Sequence, residues 1–67
     1  MKKPFLIRSR SGIVEALHHP DKKVLTLWTI DADNRRDLVR EVPCAYRFTA
    51  DIVVEAQRHL DELAATL

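Results

Sequence analysis

TADIVVEAQRHLDELAATL, residues 49–67, is the stretch whose reading decides the fold. Its apolar positions Val53, Ala56, Leu60, Leu63 and Leu67 recur at alternating steps of three and four. That period is the seam of an amphipathic helix, and equally an a/d heptad stripe. Ile52 and Ala64 widen the seam into a face. Asp51, Glu55, Arg58, Asp61 and Glu62 fall mostly on the other side. Thr49 is the expected N-cap, with Asp51 favourably placed in the first turn. The stripe is still apolar at Leu67, so the expectation is that it needs cover, from this chain's own sheet or from a second copy.

Upstream, the pattern changes to period two. VLTLWTI, residues 24–30, is rich in β-branched and aromatic residues and reads as a strand. Val24, Trp28 and Ile30 share one face with Thr26, and Leu25 and Leu27 share the other with Thr29. A half-exposed antiparallel strand alternates apolar with polar. Here both faces are apolar, so one packs on the helix and the other needs a second cover. Trp28, in the most apolar strand, is expected in the core.

Residues 5–10 and 13–19 read as two earlier strands. Ser11 and Gly12 supply the turn between them, and Pro20 suits the turn that follows. Residues 35–42 are ambiguous. Leu38, Val39 and Val42 fit a short helix capped by Asp33, whereas Leu38, Arg40 and Val42 alternate as they would along a fourth strand. Short meander connections favour the strand. Pro43 is expected to break the element. The predicted architecture is a single α+β domain over residues 1–67, an antiparallel meander of three or four strands packed on one C-terminal helix.

The chain has 67 residues and one cysteine, so an internal disulfide is excluded. A domain of this size buries a small core and is marginal alone, which makes oligomerisation an expected remedy. With 46% hydrophobic residues, one glycine and three prolines, it is neither a linker nor a disordered segment. No apolar run approaches the ~20 residues of a membrane span. Between the opening basic residues and Arg8 only Phe5, Leu6 and Ile7 are apolar, too few for an export signal. With the unpaired cysteine this predicts a cytoplasmic protein.

The chemistry-bearing residues form no catalytic pattern. His18 and His19 are adjacent, so a strand sends them to opposite faces, and His59 lies on the helix. No ligand spacing for zinc is present, and no metal or cofactor is expected. Cys44 has no base beside it in sequence and reads as a small buried residue. Asp31 with Asp33 falls in a turn, and Asp61 with Glu62 on a solvated helix face. A single glycine rules out a glycine-rich phosphate loop. An enzyme is not expected.

Charge is divided along the chain. Residues 1–47 hold ten Lys or Arg against six Asp or Glu, and residues 48–67 one Arg against four acids. In a meander the turns near Gly12 and Asp33 share one end of the sheet. Arg8, Arg10, Arg35 and Arg36 are therefore the expected contact patch, for an acidic protein surface or for phosphates. Val53, Ala56, Leu60, Leu63 and Leu67 are the expected oligomer interface. The sequence thus predicts a non-enzymatic binding protein acting through protein–protein contact as a homodimer. Regulators, inhibitors and adaptors, phage and plasmid accessory proteins among them, are commonly of this kind. A small RNA- or DNA-binding module using the basic patch is the alternative. No family is recognised from these residues.

Overall fold

The computed structural model describes residues 3–67. Its centre is the strand Val24–Ile30 (β3), which pairs on both sides. Val14–His19 (β2) lies antiparallel on one edge of it, with Ala16 opposite Leu27 and His18 opposite Leu25. Phe5–Arg8 (β1) pairs with β2, placing Ile7 opposite Ala16. Arg36–Pro43 (β4) pairs with the other edge of β3. The sheet order is β1-β2-β3-β4, and the helix Thr49–Thr66 (α1) follows. This is the four-stranded meander and single helix that the sequence predicts.

Each turn has a local cause. Gly12 adopts φ +74° and donates to the Ser9 carbonyl at 3.3 Å. A Cβ there would meet nothing within 4 Å, so the backbone conformation rather than space calls for glycine. At the third turn, Asp31 Oδ1 accepts from the amides of Asp33 and Arg35, both at 2.9 Å. Asn34 takes the left-handed conformation, φ +63°, that asparagine tolerates. This compact Asx-type turn settles the ambiguity over residues 35–42 in favour of a strand.

Several boundaries differ from the sequence reading. β1 ends at Arg8, and β2 begins at Val14. Pro43 is the last residue of β4, opposite Val24, rather than its breaker. An edge strand tolerates proline because its outward side lacks a partner. The N-cap is Phe48, with no side-chain cap, and Thr49 is already helical. The largest correction is a bulge. Leu27 faces Arg40 while Trp28 faces Leu38, so Val39 is an extra residue in β4. The bulge puts Leu38 on the opposite face from Arg40 and Val42, which simple alternation would have kept together.

The core lies between the helix and one face of the sheet. Ile7, Val14, Ala16, Leu25 and Leu27 meet Ile52, Ala56 and Leu60, with Cys44 closing one end. Phe5, Val42, Val53, Leu63 and Ala64 pack around this cluster. Gln57 Nε2 ties the helix to the end of β1 by donating to the Arg8 carbonyl at 3.0 Å. The helix backbone lies over β1, β2 and β3 rather than over β4. No helix among the described residues is long and apolar enough to cross a membrane.

Candidate binding interface

Residues opposite one another across a ladder share a face. The register therefore places Leu6, Leu17, Thr26, Trp28 and Leu38 together on the face turned away from α1. Leu6 is 43% exposed and Leu38 56%. Trp28 is half-buried on this open face, which corrects its expected place in the core. Leu6, Leu17 and Trp28 line a shallow apolar depression of ≈ 180 Å³, together with Glu15 and Arg36.

Two polar devices brace this surface. Arg36 reaches across Trp28's strand to Glu15, with Nε–Oε2 at 3.2 Å and Nη2–Oε1 at 3.4 Å. The Glu15 side chain is 5% exposed and that of Arg36 51%, so one charge is buried and the other supplied from the rim. Without Arg36 the carboxylate would be buried unpaired. The second device is centred on Thr26. Its Oγ1 accepts from Trp28 Nε1 at 2.9 Å and lies 3.1 Å from His19 Nε2. Its own hydroxyl is oriented to the Leu17 carbonyl at 3.4 Å. Trp28 is thereby fixed in orientation, with its ring presented on the open face.

The sequence-predicted residues are distributed unevenly. Arg10 and Arg35 stand beside the two turns at one end of the sheet, with Arg8 on the open face of β1. None of the three has a carboxylate within ion-pair distance among the described residues. Arg36 differs, since its guanidinium is engaged by Glu15. Of the expected oligomer interface, Ala56 and Leu60 are fully buried against the chain's own sheet. Val53 and Leu63 pack at the margin of that core, and only Leu67, 66% exposed, projects into solvent. The helix stripe is therefore covered from within the chain, and the uncovered apolar surface lies on the other side of the sheet.

The histidines occupy opposite faces, as adjacent strand residues must. His59 Nε2 sits 3.1 Å from Glu55 on the helix. Arg58 bonds to both Glu55 and Glu62, and its contact holds the Glu55 carboxyl below the usual range. Among the described residues no group of three or more His, Cys, Asp or Glu is placed to hold a metal ion. The Glu15–Arg36 pair was missed in sequence. Its signal was a glutamate inside the otherwise apolar run Ile13-Val14-Glu15-Ala16-Leu17. No family model, curated protein or solved structure matches the chain.

Proposed function

We propose that this chain is a non-enzymatic protein-binding module whose contact surface is the open face of its sheet, and that its first partner is a second copy of itself. One observation carries the reading: the helix covers a single face, and Leu6, Leu17, Trp28 and Leu38 lie together uncovered on the other. Contiguous exposed apolar surface marks an interaction site more often than a solvated one. An aromatic ring held rigid by hydrogen bonds suits the centre of such an interface. The same face carries Arg8 and Glu41, so a twofold contact can set opposite charges against each other.

Leu38→Glu tests this, because Leu38 is exposed in the single chain and the fold tolerates the change. The wild type is expected to sediment as a dimer at micromolar concentration, and Leu38→Glu as a folded monomer. Trp28, the only tryptophan, reports the same event through a red shift of its emission on dilution. A monomeric wild type with concentration-independent emission would overturn the reading.

A second reading is favoured by Arg8, Arg10 and Arg35, cations without carboxylate partners near one end of the sheet. They suit phosphates of a nucleic acid. Binding of that kind weakens steeply with salt, whereas apolar association does not.

A further inference from the structure

β4 is an edge strand. It pairs with β3 on one side, and among the described residues no strand lies on the other. Residues 36–41 are all exposed. Such an edge presents backbone N–H and C=O groups without partners, a template on which another strand can pair.

Residues 36–41 read Arg-Asp-Leu-Val-Arg-Glu. The order of charges is antisymmetric about the Leu38–Val39 bond. A second copy of the segment, laid antiparallel with that bond at the centre, sets Arg36 against Glu41, Asp37 against Arg40 and Leu38 against Val39. Twofold symmetry makes each pair twice. Every charge then meets its opposite, and apolar meets apolar.

The bulge is the independent observation. Residues opposite one another across a ladder share a face. A twofold axis normal to the sheet keeps each residue on its own face, so both members of a pair must already share a face of β4. In a regular strand Arg36 and Glu41 would lie on opposite faces, and so would Asp37 and Arg40. The extra residue, Val39, restores the match. Arg36 lies opposite Ile30 and Glu41 opposite Thr26, both on the open face. Asp37 lies opposite Thr29 and Arg40 opposite Leu27, both on the face toward α1. The bulge thus sits at the centre of the charge pattern and makes the self-paired register possible.

These charges have little competing use within the chain. Asp37, Arg40 and Glu41 have no ion-pair partner among the described residues. Arg36 uses Nε and Nη2 on Glu15, which leaves Nη1 for a second carboxylate. Charges and bulges on an edge ordinarily discourage pairing. Here the signs run in self-complementary order, so they reject other registers and select one partner.

We propose that the β4 edge binds the β4 edge of a second copy, antiparallel and in this register, joining two sheets into one. This contact is separate from the open face and does not rest on it. Ion pairs at an exposed edge are individually weak, so the pairing is expected to need more than micromolar concentration.

The test keeps the two contacts apart. Leu6→Glu places a charge on the open face from β1, the opposite edge of the sheet. With folding checked by circular dichroism, this variant is expected to pass from monomer to dimer between micromolar and millimolar concentration in sedimentation. Trp28 emission, which reports the open face, is expected to stay constant. Adding Asp37→Arg is expected to weaken the association by about tenfold or more, because two pairs become repulsive. Adding Arg40→Asp as well restores opposite signs and is expected to restore the dimer. A second measurement needs no change on the open face. Chains carrying Asp37→Cys, mixed with chains carrying Arg40→Cys, are expected to form an intermolecular disulfide, while the native Cys44 stays buried. Either variant alone is not, because its two copies would stand three residues apart along the ladder, beyond the ~7 Å that a disulfide spans. The proposal is overturned if folded Leu6→Glu stays monomeric at millimolar concentration, or if its doubling comes with a blue shift of Trp28. It is equally overturned if the charge swap does not recover what Asp37→Arg loses, or if the mixed cysteine chains cross-link no better than each alone.

Discussion

The two faces of β3 differ by one residue of register and by almost everything else. Leu25 and Leu27 look toward α1 and are fully buried, whereas Val24, Trp28 and Ile30 look away and stay partly in water. Both sets are apolar. Composition therefore does not decide which face is core; the helix does, by covering β1 to β3 on one side only. The comparison teaches that a short chain can hold more apolar surface than its single helix can bury. The excess collects where no element lies over the sheet, and β4, exposed along nearly all its length, extends it.

The largest effect that would break this comparison is cavity formation on the covered side. Leu60→Ala removes a fully buried side chain from the helix–sheet core. It is expected to cost about 2–5 kcal/mol. A domain of this size holds only about 3–10 kcal/mol in total, so the variant is expected to lose a large share of its stability. The same truncation on the open face, Leu38→Ala, is expected to stay within ~0.5 kcal/mol of the wild type in the single chain. Urea unfolding of the two variants side by side measures the contrast, and equal losses would show that both faces are core.

How much of this asymmetry was legible in the sequence follows from the range of the forces involved. The period of residues 49–67 and the two-sided apolarity of residues 24–30 are local patterns, and they predicted the helix, the sheet and an uncovered face. The bulge at Val39 is not local. It depends on pairing with β3, and it alone puts Leu38 beside Trp28. Trp28 was expected in the core because apolarity along a strand cannot say which face the helix will take. The stripe at Ala56 and Leu60 reads identically whether its cover comes from its own chain or another, and here the chain's own sheet covers those two residues. Phe48 displaced Thr49 as N-cap because its extended backbone already ends the preceding loop, φ −93° and ψ 136°.

A smaller effect sharpens the polar side of the comparison. Arg36→Ala leaves Glu15 almost buried without its partner. Loss of one member of a fully buried pair costs several kcal/mol, but the Arg36 side is half in solvent, so about 1–3 kcal/mol is expected. Arg36→Glu adds repulsion and is expected to cost more. The double variant Glu15→Leu/Arg36→Leu removes both charges and is expected to recover most of the loss, because no buried charge remains. Chemical denaturation of the single and double variants measures the coupling. Simple additivity would show that the pair contributes nothing. Charge reversal at Arg8, Arg10 and Arg35 is the cleaner probe of surface binding, since those changes leave Glu15 paired.

The smallest expected effect separates the faces by pH, through His18 on the covered side. In the unfolded chain its imidazole takes up a proton around its ordinary value of 6.5, whereas burial in the fold lowers that pKa. Between the two values the unfolded state binds more protons than the native state, so stability falls as the pH is lowered. The loss begins as the pH drops through 6.5 and levels off below the folded pKa. Glu55, held low by Arg58, contributes a separate loss only below its ordinary value of 4.5. After burial, the other influences on His18 are the Cys44 backbone, whose hydrogen bond pulls its pKa upward, and His19, beside it on β2, which lowers it further. His18→Phe replaces the ring by one of similar shape that stacks on Phe5, whose centroid lies 5.1 Å away, and leaves no orphan nitrogen. It is expected to be neutral or mildly stabilising at pH 7 and to flatten the melting temperature between pH 5 and 7 (~1–2 units around the free imidazole value). Thermal melts of both proteins across that range provide the measurement. A wild-type profile already flat there would show that His18 is free to protonate in the fold, and that the covered face is wetter than its burial indicates.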